Sequence, residues 1–264
     1  MSQQIFFAHA NGFPSATYGK LFAGLAPDYQ VRHLPQHGHD PRFPAGDNWL
    51  LLVDELIHHL EQQAEPVWGV GHSLGGVLHL HAALRCPELY RGVVMLDSPV
   101  LTLADQWLIR LAKRWGFIDR ITPAGRTEGR REAFDDLDQA RAYFSAKSLF
   151  RAFDPDCLEA YLQHGLKSEG EGLRLAFDPA IEMRIYRSIP HTRPASPGKL
   201  KVPLAMVRGS DSRIVRAHHA QAVRRMPLGE NHSVAGGHMF PLERPDDTAR
   251  LIRSVFQRWQ EQSA

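Results

Sequence analysis

Val67-Trp68-Gly69-Val70-Gly71-His72-Ser73-Leu74-Gly75-Gly76 is the stretch that decides the fold. Val67 to Val70 is a short apolar run of the kind that fills a buried strand. The residues that follow, to Arg85 and up to the break at Pro87, read as a helix. A serine on such a turn has a strained backbone, and residues two positions away would clash if they carried side chains. Gly71 and Gly75 remove that clash, so the hydroxyl stands clear of the sheet. The Leu74 N–H, at the helix N-terminus, points at developing negative charge. A phosphate loop is the competing reading of glycines before a helix. Neither G-x-G-x-x-G nor G-x-x-x-x-G-K-[ST] occurs, which weakens it.

Outward from this point, strands and helices alternate. Ile5 to Ala8 reads as a strand entering the loop His9-Ala10-Asn11-Gly12-Phe13-Pro14. Ser15 or Thr17 caps a helix through Leu25 that stops before Pro27. Tyr29 to Leu34 is a second strand, and Asn48 is the expected N-cap of a helix to Gln63 with Leu51, Leu52, Leu56 and Leu60 on its apolar side. After the serine, Gly92 to Leu96 is a fourth strand. Strict alternation of this kind implies a parallel sheet covered by helices on both faces. From Leu101 to Leu200 no strand is legible. That stretch reads as helices separated by Thr122-Pro123-Ala124-Gly125, Asp154-Pro155 and Gly170-Glu171-Gly172, with Pro190, Pro194 and Pro197 at its exit. Alternation resumes with a strand at Val202 to Arg208, a helix over Ala217 to Arg225, a strand at Asn231 to Ala235 and a helix from Pro245 to Gln260. The expected organisation is an α/β core of residues 1–99 and 199–264, interrupted by a helical insertion at 100–198.

A serine hydroxyl is a poor nucleophile at its free pKa. It needs a base, and the base needs an orienting acid. His238, in Gly236-Gly237-His238-Met239, follows the last strand. Asp211 follows the strand after the insertion, and Asp97 ends Val93-Val94-Met95-Leu96. Loops at one end of a parallel sheet converge, so these residues can meet Ser73. Ser…Asp…His is the chain order this architecture uses, and Asp211 is preferred to Asp97 because Gly209 and Ser210 make a loop able to reach the base.

With these loops in place the chain resembles the α/β-hydrolase superfamily, specifically its lid-bearing serine hydrolases and esterases. The resemblance rests on Gly71-His72-Ser73-Leu74-Gly75-Gly76, Gly209-Ser210-Asp211, Gly237-His238 and the His9 loop, and it covers nearly the whole chain. It implies the α/β-hydrolase fold with six parallel strands, since the family's N-terminal hairpin has no room before Ile5, and a helical lid at 100–198. It implies the triad Ser73, His238 and Asp211, with an oxyanion hole made by Leu74 and a second N–H. The family's His-Gly-x loop maps that second donor to Asn11, with Phe13 as the alternative. The expected activity is cofactor-independent hydrolysis of an ester or related small-molecule acyl substrate through an acyl-enzyme. Carbon–carbon bond hydrolysis, thioester hydrolysis, acyl transfer and a small-molecule receptor are the alternatives on the same fold.

Composition narrows the partners. The 264 residues carry 31 Lys and Arg against 29 Asp and Glu, a net charge of +2. No strong field favours nucleic acid or a membrane, and neither is expected as a partner. No apolar stretch approaches the ~20 residues of a membrane span, and the start carries no signal-peptide pattern. Cys86 and Cys157 are too few for a disulfide framework, which points to the cytoplasm. The 15 histidines include His37-Gly38-His39, His58-His59, His79, His81 and His218-His219, but no metal-ligand spacing, and no metal is expected. His37 and His39 read as a solvated loop, with a lining of the site entrance as the alternative. Arg110, Lys113, Arg114, Arg120, Arg130 and Arg131, interleaved with acids, read as the insertion's solvated face. Of the aromatics Trp107, Trp115, Phe117, Tyr143, Phe144, Phe150 and Phe153, most read as the insertion's own core, with one or two roofing an apolar pocket.

Overall fold

The computed structural model describes residues 3–26, 28–127, 129–192 and 197–263; Pro27 and Pro194 lie outside the described residues. The core strands are β1 (Gln3–Ala8), β2 (Tyr29–His33), β3 (Val67–His72), β4 (Tyr90–Leu96), β8 (Leu204–Gly209) and β9 (Gly229–Val234). They form one six-stranded sheet in the order β2-β1-β3-β4-β8-β9, with every pairing parallel.

The two-residue side-chain period of a strand divides the core. Ile5, Phe7, Val94, Leu96, Ala205 and Val207 pack on one face with α1 (Gly19–Leu25) and α12 (Pro245–Ser263). Phe6, Val93, Met95, Leu204 and Met206 pack on the other with α2 (Leu50–Leu60), α3 (Leu74–Arg85) and α10 (Ala217–Arg224). A sheet covered on both faces needs continuous apolar central strands, and β3 is buried along its whole length.

Between β4 and β8 run α4 (Leu103–Arg114), α5 (Ile118–Ile121), α6 (Ala124–Thr127), β5 (Ala133–Phe134), α7 (Leu137–Ser145), α8 (Pro155–His164), β6 (Leu166–Glu169), β7 (Gly172–Leu175) and α9 (Pro179–Arg187). A short α11 (Phe240–Glu243) precedes α12. The insertion is not purely helical: β5, β7 and β6 form a three-stranded antiparallel sheet. β6 and β7 are joined by a turn in which Gly170 has φ +60°. Lys167, Ser168 and Glu169 are all exposed, so the apolar alternation that betrays a strand is missing.

Two further expectations are corrected. Asn48 does not cap α2. It has φ 58°, and its Oδ1 accepts the N–H groups of His191 and Thr192 at 2.8 and 3.0 Å, tying down the exit of the insertion. Leu51 is exposed, whereas Leu52, Leu56 and Leu60 are buried.

Candidate active site

Ser73 joins β3 to α3 with φ 53° and ψ −112°, a conformation a serine adopts only under constraint. The constraint is backbone packing. A Cβ on Gly71 would lie 2.3 Å from the Gly75 carbonyl carbon, and one on Gly75 would lie 2.0 Å from Ala8 O. The glycines let the end of β1, the end of β3 and the start of α3 touch, while Ser73 itself stays partly exposed.

His238 lies in the loop between β9 and α11, and its Nδ1 is 2.7 Å from Asp97 Oδ2. A carboxylate oxygen accepts, so Nδ1 carries a hydrogen. Asp97 is fully buried with φ 43° at the end of β4. Its Oδ1 accepts Gly209 N–H at 3.0 Å, and its Oδ2 also accepts the Ser212 hydroxyl. The choice of Asp211 as partner of His238 is therefore corrected. Asp211 is exposed, its carboxylate accepts the neighbouring Ser210 hydroxyl at 3.1 Å, and its N–H donates to Gly236 O. The Gly209–Ser212 loop does reach toward the base, but it brings an N–H and a hydroxyl to Asp97 rather than a carboxylate to His238.

His72 adds a connection that the sequence did not suggest. Its Nε2 is 2.9 Å from His238 O and its Nδ1 is 2.7 Å from the Tyr18 hydroxyl. A carbonyl only accepts, so Nε2 donates. Burial, with the neighbouring His238 adding to it, drives the His72 pKa far below its ordinary value, so the ring is neutral and Nδ1 accepts from Tyr18. Tyr18 in turn accepts Ala10 N–H at 3.3 Å. One hydrogen-bond chain thus links the β1 loop, the serine turn and the His238 loop.

In the β1 loop, Gly12 has φ +82°, and Phe13 N–H is engaged by Ala10 O at 3.1 Å. Asn11 Nδ2 donates to Glu182 O on α9 at 3.0 Å. The Glu182 carboxylate lies against Gly12, where a Cβ would come within 2.8 Å of Oε1, and it is paired with Arg130 Nη2 at 2.6 Å. Burial raises the Glu182 pKa, and the Arg130 charge opposes that rise. Arg130 is thus part of the insertion's contact with the β1 loop and not of a solvated face. Phe13 meets Phe150, Phe153 and Tyr161, with centroids 5.3–6.2 Å apart. His37 is buried against Glu55, and its N–H donates to His9 Nε2 at 2.8 Å. His39 Nε2 accepts Asp178 N–H at 3.1 Å. Both are ties between segments, not members of a solvated loop.

Asp105, His218 and His219 bring three ligand atoms within 4.8 Å of one another. The chemistry of the set does not suit a cation. His219 Nδ1 accepts Arg216 N–H at 3.1 Å, which leaves the proton on Nε2, the atom that faces Asp105 Oδ2 at 3.3 Å. The cluster is a hydrogen-bonded clamp between α4 and α10.

Residues 5–251 match the sequence profile of the alpha/beta hydrolase family, and the chain belongs to that family. Among curated proteins it is similar to a pimeloyl-[acyl-carrier protein] methyl ester esterase of Shewanella woodyi, 38% identical over 107 residues, which are 39% of each chain. The chain thus spans about two-fifths of the length of that relative in the match. Among solved structures, E-2-(acetamidomethylene)succinate hydrolase superposes with a TM-score of 0.73 at 22% identity, covering 97% of this chain and 91% of the other. An M. tuberculosis esterase does so with a TM-score of 0.71 at 21% identity, covering 97% and 86%. Those two likenesses concern the fold.

Proposed function

We propose that the protein is a serine hydrolase of carboxylic esters or related acyl compounds, acting through Ser73, His238 and Asp97. The observation that carries this reading is the His238 Nδ1–Asp97 Oδ2 hydrogen bond of 2.7 Å, in a loop that His72 ties to the turn holding Ser73 at φ 53°. The esterase relative supports an ester as the substrate class. Ser73 Oγ attacks the carbonyl carbon, and its proton passes to His238 Nε2. Asp97 holds the resulting imidazolium through Nδ1–H. The oxyanion is met by Leu74 N–H and Asn11 N–H, each worth roughly 2.7–4 kcal/mol in such sites. Asn11 is favoured over Phe13 because Phe13 N–H is already spent on Ala10 O. The tetrahedral adduct collapses, and the departing alkoxide takes the proton from His238 Nε2. Water then attacks the acyl-enzyme with His238 as base, releasing the acid and restoring Ser73.

Residues 100–198 serve as the lid of this site. The Phe13 aromatic contacts and the Asn11–Glu182 bond support that role. The two free thiols, Cys86 and Cys157, fit a cytoplasmic location. Fluorophosphonate labelling, followed by turnover of p-nitrophenyl esters beside thioester and diketone substrates, tests the reading. Labelling at Ser73 with ester turnover is expected. Labelling without turnover of any acyl substrate would indicate a receptor, and diketone cleavage without ester turnover would indicate a carbon–carbon hydrolase.

A further inference from the structure

A helix on the surface of a globular protein normally turns its apolar stripe inward and its polar face to water. α4 has an apolar face on each side. Ile109 and Ala112 are buried against Ile118, Leu101 and Phe117. On the opposite side Leu103, Trp107, Leu108, Leu111 and Trp115 are all exposed, the two tryptophans at 63% and 74%. At 3.6 residues per turn these five span about 140° of the helix circumference over roughly 18 Å of its length. Exposed Arg110 and Arg114 run along one edge of that arc. The acid of the helix, Asp105, is turned away and held by Thr102 and His218, and Lys113 is turned to Asp47.

We infer that this outer face of α4 docks on an anionic lipid bilayer, the helix lying in the plane of the headgroups. Leu103, Trp107 and Arg110 also line a shallow open hollow with His191 and Thr192, and a fluid bilayer accepts such a surface without a complementary partner shape. Indole rings partition to the boundary between headgroups and acyl chains, and a row of arginines beside them is attracted to anionic headgroups. A second copy of the chain fits less well, because it would bring its own Arg110 and Arg114 to the same positive patch. An acidic protein would satisfy the arginines but would still have to supply pockets for both indoles. The net charge of +2 averages over the whole chain and hides this local arrangement. The inference does not depend on the esterase reading, because its readout is binding.

Trp49, Trp68 and Trp259 are buried, at 6%, 4% and 5% exposed, so Trp107 and Trp115 are the tryptophans whose emission reports a change at the surface. On titration with phosphatidylglycerol–phosphatidylcholine vesicles the emission should shift to the blue, and the full chain should sediment with the lipid. Affinity should fall about ten-fold or more on pure phosphatidylcholine, in raised salt, and in R110Q/R114Q. The W107S/W115S variant should lose sedimentation while its circular dichroism and thermal unfolding stay those of the wild type, which shows that the variant is folded. Failure of the wild-type chain to sediment with anionic vesicles at millimolar lipid overturns the inference, as does undiminished sedimentation of W107S/W115S. Self-association that disappears in W107S/W115S, without lipid binding, would assign the face to a second copy. Binding to polyglutamate but not to vesicles would assign it to an acidic protein.

Discussion

The core and the insertion differ in how most of their helices start. In the insertion, α4, α7, α8 and α9 begin at Thr102, Asp136, Asp154 and Asp178, and each of these side chains accepts a backbone N–H of its own first turn. In the core, α1, α2 and α3 begin without a side-chain cap hydrogen bond, as does the one-turn α5 of the insertion, while at the start of α10 His219 Nδ1 accepts Arg216 N–H. The core helices are positioned by burial against the sheet, and the strained Ser73 and Asp97 backbones sit where those helices and strand ends meet. The insertion helices are defined locally and joined to the core by side-chain contacts such as Lys20–Asp154 and Asn11–Glu182. With the proposed lid role for the insertion, a core that fixes geometry and an insertion that adjusts access is the division expected of a site whose chemistry is constant and whose substrate is not.

The largest expected effect falls in the core. Ser73→Ala should abolish fluorophosphonate labelling and lower turnover by on the order of 10⁴-fold or more in a folded protein; near-normal turnover breaks the assignment of the nucleophile. Asp97→Asn should cost on the order of 10⁴ in kcat, because the amide favours the wrong His238 tautomer. Asp211→Asn should leave kcat within about two-fold, since exposed surface positions rarely matter more. Equal losses in the two variants would return the acid's role to the loop after β8.

Acid should weaken the core next. Burial holds His9 and His72 well below 6.5, and brings His79 to about 3 and His81 to about 4. The unfolded chain therefore takes up protons first. Their stabilisation is complete above pH 6.5 and is lost as pH falls toward the folded-state values, by about 1.4 kcal/mol per pH unit for each group. Urea unfolding between pH 7.5 and 4.5 measures this slope, and His81→Asn should reduce it by about one group's share. A flat profile would mean that the buried rings are protonated in the fold.

Tyr18→Phe removes the donor to His72 Nδ1. A loss of about 1–3 kcal/mol in stability is expected, together with a fall of roughly ten-fold in kcat at little-changed KM. An unchanged kcat would leave Tyr18 a packing residue only. The smallest effect belongs to the insertion. Arg141 and Glu159 pair between α7 and α8 with both side chains well exposed, so Arg141→Gln should shift stability by less than about 1 kcal/mol.

The same division explains what was legible in the sequence. The central strands could be placed because strands buried on both faces are uninterrupted apolar runs, as in Val67–Val70 and Val93–Leu96; the polar edge strands β2 and β9 were legible from the alternation of strands and helices around them. The serine turn was legible because backbone contact demands glycine at fixed offsets. The partner of His238 was misread because both candidate acids end a strand-to-loop step. The choice depends on which loop folds over which: Gly209 N–H and Ser212 turn inward to Asp97, and Asp211 is left outside. The small sheet of the insertion was missed because its strands carry polar residues on exposed positions. The Tyr18–His72 link joins residues 54 apart by one hydrogen bond, and no local pattern announces it.

The position of Asp97 has a bearing on how the chain can be divided. Ser73 and Asp97, the proposed nucleophile and acid, directly follow consecutive strands, β3 and β4, before the insertion, and His238, the proposed base, lies after it. A break at the exposed Glu169–Gly172 turn would leave Ser73 and Asp97 on one fragment and His238 on the other. The fragments would meet along the β4–β8 ladder that runs from Val93–Leu204 to Leu96–Val207. Neither piece carries the whole proposed triad. Ester turnover by the mixture would therefore report reassembly of the sheet, making the enzyme a conditional reporter of whatever brings its halves together.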